Sequence, residues 1–345
     1  MLSTLNYPAI KSLTIDRYAR VLSTSVTVPE TVVTNDDIIK RYDLIATDRA
    51  VQFAVGIKER RYADDHTLVS DLLAETALVC LDRANVRPEQ LDRIIYTKLM
   101  GDYIVPATSI KVLQKLGMRS GIPAFDIAAA CSGFAHILDM AIRYIDSGDD
   151  YVLILGGDIS SRSANTKNKK DTRTIFLSGD AVVGMLLGVS DEQHFLASYL
   201  YTDNTYYEYS YIPFGTEMLN KTKAFDNTMF NMQMPDGMVV HESVIDSCDI
   251  VANKLLQHTG LSIDDIDVFI TSDQTTMTWE AQLRKMGVPR EKSASLFHKY
   301  GNTVAALAPV NLNEMIESGR LQRGMTVMFL AHGAGASGGG FIFTY

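Results

Sequence analysis

The chain repeats an ordered pattern of helix, buried strand and glycine turn, and this repeat limits its folds more than any other feature. Cys131 opens a helix-patterned segment that ends at Asp146-Ser147-Gly148, and Asn302 opens another that ends at Glu317-Ser318-Gly319. The spacings agree, 148 − 131 = 17 and 319 − 302 = 17. Each segment is followed by an apolar strand and then glycines, at Gly156-Gly157 and at Gly333-Ala334-Gly335, and each half closes with a further apolar strand. One matching spacing arises by chance; the ordered set marks a duplication. Duplicated halves place Cys131 and Asn302 at equivalent helix starts that face each other.

Strand-like apolar runs occur at Arg93–Met100, Tyr151–Gly156, Thr174–Leu177 with Val182–Leu187, Val268–Thr271, Met325–Ala331 and Gly340–Tyr345. Several are continuous rather than alternating, which predicts strands covered on both faces. Helical patterns lie between them at Ser70–Arg83, Ser132–Asp146, Glu242–His258 and Thr303–Glu317. Strands alternating with helices predict an α/β layered fold. The halves divide at residues 1–189 and 190–345, the first with Cys131 and the second with Asp273, Asn302 and the glycine-rich segment. The polar, tyrosine-rich stretch Tyr199–Asn231 lacks periodicity and reads as long loops or a cap.

Composition removes several classes of function. Three cysteines in 345 residues cannot staple a disulfide scaffold. A formal net charge of −9 disfavours nucleic acid as a partner. No apolar run reaches the roughly 18 residues that cross a bilayer. The opening MLSTLNYPAIKSLTIDRYAR has neither a basic region nor an apolar run of a signal peptide, so a cytoplasmic location with reduced thiols is the expectation. No metal motif stands out, and the glycines close strands instead of opening a phosphate-binding turn.

Cys80 and Cys248 lie inside amphipathic helical patterns and read as core residues. Cys131 differs, because it follows the small-residue run Ala124-Phe125-Asp126-Ile127-Ala128-Ala129-Ala130 and precedes a helix. A thiol there feels the positive helix end and unpaired backbone N–H groups, which favour the thiolate. The residues alone leave two readings open: an activated nucleophile, or a small residue in a tight strand–helix turn.

The run Ala-Ala-Ala-Cys131-Ser-Gly-Phe, with Phe125-Asp126 upstream, resembles the nucleophile motif of the β-ketoacyl-acyl-carrier-protein synthase III family, within the thiolase superfamily. Further likenesses follow in order at Gly56-Ile57 with Arg60-Arg61, Gly179-Asp180-Ala181, Tyr300-Gly301-Asn302-Thr303 and His332-Gly333-Ala334-Gly335. The resemblance implies a thiolase-like αβαβα five-layered fold of two similar halves. It implies a dimer, with identical or different subunits, and covalent acyl transfer through cysteine. Cys131 would take an acyl group from a thioester of acyl carrier protein or coenzyme A, with no further cofactor. The backbone N–H groups of Cys131 and Ala334 match the family's oxyanion hole, and Asn302 matches the asparagine that holds the second thioester carbonyl. Gly-Asn-Thr is also a good helix-capping sequence, so Asn302 has a purely structural reading as well. Val105 matches the residue that reaches into a partner's acyl pocket. Arg284 and Lys285 form a basic pair that could dock an acidic carrier or simply face solvent.

The pattern breaks where the family has a histidine in Pro-His-Gln-Ala-Asn. Here the chain reads Ser272-Asp273-Gln274-Thr275-Thr276. An ionised Asp273 donates no hydrogen bond and would repel an enolate or a malonyl carboxylate. His332, at the family's usual phenylalanine position, is the substitute nearest the cysteine in the resemblance; its other reading is space filling. His298 and His241 are weaker substitutes, and His66, His136, His194 and His258 read as structural or solvated. Ala50, Ala54 and Thr278 stand where the family clamps a nucleotide with tryptophan and arginines, which puts tight coenzyme A binding in doubt. Three functions follow. In the first, Asp273 is a general base and the acyl group passes from Cys131 to a carbon, oxygen or nitrogen nucleophile, in fatty-acid or polyketide-type metabolism. In the second, the chain is a malonyl-dependent 3-oxoacyl synthase in which His332 or a protonated Asp273 compensates. In the third, it is a non-catalytic partner of a condensing-enzyme pair.

Overall fold

The computed structural model describes residues 17–118, 121–164, 173–221 and 227–345; residues 1–16 and part of the Tyr199–Asn231 stretch lie outside them. The first seven strands are β1 (Tyr18–Thr27), β2 (Thr31–Thr34), β3 (Glu59–Tyr62), β4 (Arg93–Lys98), β5 (Ala124–Ala128), β6 (Tyr151–Asp158) and β7 (Ala181–Ser190). The remaining four are β8 (Phe195–Thr202), β9 (Val268–Ile270), β10 (Thr326–Gly333) and β11 (Ser337–Thr344). They form a sheet of order β1-β7-β6-β4-β5, a second of order β8-β11-β10-β9, and the small pair β2-β3. In both large sheets a parallel pair (β4 with β6, β9 with β10) is followed by antiparallel partners (β7, then β1; β11, then β8). The repeat read from the residues is therefore a repeat of topology.

Strand alternation builds the layers. From β6, Val152 and Ile154 enter a central core, while Leu153 and Leu155 face an outer one. From β10, Val327, Phe329 and Ala331 enter the same central core, while Met328 and Leu330 face the opposite side. The central core also takes the buried faces of helices Gly133–Asp146 and Leu307–Glu317, sandwiched between the two sheets. Helix Val69–Arg83 covers one sheet outside, and helices Gly237–Thr259 and Thr276–Met286 cover the other. The result is the thiolase-like αβαβα fold. Cys80 and Cys248 are buried in the outer cores, at 0% and 4% exposure, as their helical context predicts.

One expected strand is a helix. Arg173–Leu177 is helical, although its threonine and isoleucine favour a strand. Tertiary contacts override that preference: Ile175 and Phe176 pack with Ile57 and Phe297, and the buried Arg60 guanidinium donates to the Phe176 carbonyl at 2.7 Å. The Tyr199–Asn231 stretch begins inside strand β8 and continues as the short helical turns Asn204–Tyr209, Thr216–Lys221 and Asn227–Phe230. Among the described residues, no helix is long and apolar enough to cross a membrane.

Candidate active site

Where β5 ends, Ala130 adopts a left-handed φ of 45°, and the turn Ala130–Ser132 leads into helix Gly133–Asp146. The left-handed region is costly for alanine, and strain of this kind concentrates at functional turns. The turn brings Cys131 to the wall of a cavity shared with Gln274, Asn302, His332, Gly333 and Ala334. The helix start packs directly on β4, for a β-carbon on Gly133 would stand 1.8 Å from Thr97 Oγ1.

Asn302 comes from the equivalent turn of the second half, and the turns Ala130–Ser132 and Val304–Ala306 touch. Its backbone N–H donates to the Leu177 carbonyl at 2.6 Å, and its carbonyl accepts from Gly179 N–H at 3.1 Å. Its side-chain Oδ1 accepts from Val304 N–H at 2.9 Å. With that oxygen occupied, the asparagine offers a ligand its amide N–H₂, a donor suited to a carbonyl oxygen or enolate.

The strand β10 ends against the cysteine turn. A β-carbon on Gly333 would lie 2.5 Å from Ser132 N and 3.0 Å from Cys131 N, so only glycine permits this approach. Ala334 follows at once and lines the same cavity. The Gly333–Ala334 backbone and the cysteine turn thus form adjoining parts of one cavity wall.

The thiol itself departs from expectation. Burial pushes Cys131 up to about 12, with only its own backbone N–H pulling the other way. Cys131 is half-buried at the cavity wall, and no cation or imidazole hydrogen-bonds it among the described residues, so burial favours the protonated thiol.

His332 and Asp273 are placed differently relative to the cavity. His332 lines the cavity. Its Nδ1 is 3.0 Å from the Tyr201 hydroxyl, its Nε2 is 3.5 Å from Ser243 Oγ, and its backbone N–H donates to Ser272 Oγ at 3.1 Å. Burial pushes its pKa down to about 4, so the ring is neutral near pH 7. Asp273 does not line the cavity. Its Oδ2 accepts from Ser295 Oγ at 2.6 Å and from Phe297 N–H at 3.3 Å, and Oδ1 has no hydrogen-bond partner. Burial pushes its pKa up to about 7, against the pull of Ser295 and Asn311. The aspartate side chain is short and is taken up by the Ser295–Phe297 turn, and its neighbour Gln274 occupies the wall instead. Sequence reasoning passed over Gln274, as well as Tyr201 and Ser243, because nothing in their local sequence marks them.

Residues 125–204 match the family described as 3-oxoacyl-[acyl-carrier-protein] synthase III, and residues 256–345 match its C-terminal part. The β-ketoacyl-[acyl-carrier-protein] synthase III of Caldanaerobacter subterraneus subsp. tengcongensis is 32% identical over 319 residues, 92% of this chain and 95% of that protein. The chain belongs to the ketoacyl synthase III family. Another member, from Enterobacter, is 30% identical over 323 residues, 93% of this chain and 98% of its own. The crystal structure of the synthase III of Aquifex aeolicus superposes with a TM-score of 0.85 at 28% identity, covering 95% of this chain and all of the other.

The remaining sequence-predicted positions fall outside the cavity. Val105 is 79% exposed and lines no part of its own chain's site. Arg284 and Lys285 are exposed in the last turn of helix Thr276–Met286, with Lys285 3.8 Å from Asp249. Ala50 and Ala54 are exposed, and Thr278 is buried, 2.9 Å from His241 Nδ1. His298 is exposed in a separate cleft with Lys58 and Arg290, away from the Cys131 cavity.

Proposed function

We propose that this chain is a condensing enzyme that joins an acyl group carried on Cys131 to a thioester-activated carbon. One observation carries the reading: Cys131, Asn302 and His332 line one cavity with the Gly333–Ala334 backbone, and the Asp273 carboxylate is turned away from it. An ionised Asp273 facing the cavity would oppose a malonyl substrate. The cavity wall carries no aspartate, glutamate, lysine or arginine among the described residues, so nothing charged opposes a developing enolate.

The chemistry divides into two half-reactions. First, the Cys131 sulfur attacks an acyl thioester, the donor's C–S bond breaks, and the donor leaves as a free thiol with the proton that Cys131 gives up. The N–H groups of Cys131 and Ala334 hold the oxyanion. Second, a malonyl thioester loses carbon dioxide, and the electron pair of the broken C–C bond forms an enolate. Asn302 Nδ2–H and the neutral His332 ring donate to its oxygen. The enolate carbon attacks the acyl carbonyl, the bond to Cys131 sulfur breaks, and the thiolate regains a proton.

Acyl donors of carrier-protein or coenzyme A type suit this site. Exposed Arg284 and Lys285 offer charge for an acidic carrier, and Val105 would reach a neighbouring cavity in a dimer. The test is to supply an acyl thioester with a malonyl thioester and follow carbon dioxide and the 3-oxoacyl product. Product with stoichiometric carbon dioxide supports the reading. Loading of Cys131 followed by transfer to an amine or alcohol without carbon dioxide would replace it with the oxygen- or nitrogen-transfer reading.

A further inference from the structure

The His332 ring is held between two cavities, and the groups at its two nitrogens differ. Nε2 lies on the side of Ser243, which lines the Cys131 cavity. Nδ1 lies on the side of Tyr201, which lines a smaller cavity behind the ring together with Ser247 and Gln282. The Ser243 hydroxyl donates its proton to the Val240 carbonyl at 2.8 Å, so it presents only lone pairs to Nε2. The Nε2–H form suits both contacts, with Nδ1 accepting the Tyr201 O–H at 3.0 Å, and the 3.5 Å contact to Ser243 is long enough to leave Nε2–H available to an oxygen in the cavity. Tyr201 is itself set in a built seat. It is 5% exposed, and a β-carbon on Gly338 would stand 2.9 Å from its Cε1 and 3.2 Å from its hydroxyl oxygen. A phenylalanine at 332 would have no use for such a hydroxyl, so the tyrosine and the histidine form a pair.

We propose that Tyr201 is a positioning residue: its hydroxyl holds His332 in the Nε2–H form with that edge turned to the Cys131 cavity, so that the ring and Asn302 together grip the carbonyl oxygen of the second thioester. This rests on the condensing reading above. The histidine donor that the family supplies from the strand before helix Thr276–Met286 is here supplied from the end of β10. Tyr201 is not among the residues that line the Cys131 cavity; it acts through the ring, as the orienting partner of an active-site histidine does.

The experiment compares wild type, Tyr201→Phe, His332→Phe and the double variant. Each is measured in two assays: loading of Cys131 by an acyl-coenzyme A, followed by intact mass, and discharge of the loaded enzyme by malonyl-coenzyme A, followed by carbon dioxide. Tyr201→Phe is expected to slow discharge about tenfold or more and loading far less. In the His332→Phe background it is expected to add almost nothing, because residues acting as a unit are not additive. Equal slowing of both steps, or the same loss of discharge with and without His332, would show a packing role only and overturn the inference. Discharge of Tyr201→Phe at the wild-type rate would also overturn it. Wild type that loads no acyl group refutes the condensing reading and this inference together. Wild type that loads and discharges upholds the condensing reading, and the variants then decide the role of Tyr201 by themselves.

Discussion

Replacing Gly333 by alanine tests the junction on which the site depends. Gly333 has φ −148°, an extended conformation that alanine adopts freely, so the cost is spatial only. The new β-carbon would stand 2.5 Å from Ser132 N, 0.9 Å inside ordinary contact (3.4 − 2.5), with Cys131 N at 3.0 Å and Ser132 Oγ at 3.1 Å. Two of these atoms are backbone at the start of a helix buried between two sheets, so neither can step aside alone. Relief requires β10 and the cysteine turn to separate by nearly an ångström. Overpacking of this size costs about 1–3 kcal/mol, a fall of a few degrees in Tm. Displacing the oxyanion donors by that distance lowers Cys131 loading about 100-fold. Stopped-flow loading with an acyl-coenzyme A, read by intact mass, gives the rate. Ile266→Val, in the outer core and costing about 0.5–1.5 kcal/mol, controls for stability loss alone. Loading by Gly333→Ala within about threefold of wild type would refute the claim that the Gly333–Ala334 backbone and the Cys131 turn form one oxyanion site.

Three other outcomes are expected. Asn302→Ala slows discharge of the loaded enzyme by about 100-fold and loading much less; equal losses in the two steps would count against its role toward the second thioester. With its pKa pushed up to about 12, Cys131 is alkylated by iodoacetamide at a rate that climbs about tenfold per pH unit from pH 7 to 10, whereas a plateau near pH 7 would mean an activated thiolate. Asp273 is raised from 3.8 unfolded to about 7 folded, so its protonated form favours the native state. That stability is present below about pH 4 and is lost as pH rises through 7, by about 4 kcal/mol in full. The fall in Tm between pH 5 and 8 is accordingly smaller in Asp273→Asn, and an unchanged fall would show that the carboxylate does not titrate there.

The parts of this molecule legible in the residues are those written as periodicity and spacing. Continuous apolar runs became strands buried on both faces, and the equal spacing from Cys131 and Asn302 to their closing glycines became two touching helix starts. The parts not legible depend on side-chain direction. Nothing local tells an observer that Asp273 bends to Ser295 and Phe297 and leaves Gln274 on the wall. The strand-like Thr174–Leu177 became a helix through Arg60, which lies more than a hundred positions earlier in the chain. The Cys131 pKa is likewise a property of enclosure, which spacing does not encode. Tyr201 and Ser243 gain meaning only once β8, β10 and helix Gly237–Thr259 are packed around His332.

The central claim is that Cys131 carries the acyl group. Its most direct test is the mass of the intact protein after exposure to a panel of acyl thioesters, with peptide mapping of the modified site. The account predicts one added acyl group on Cys131, absent in Cys131→Ala and discharged by a malonyl thioester. An unmodified protein across the panel, or an adduct that persists in Cys131→Ala, would contradict it.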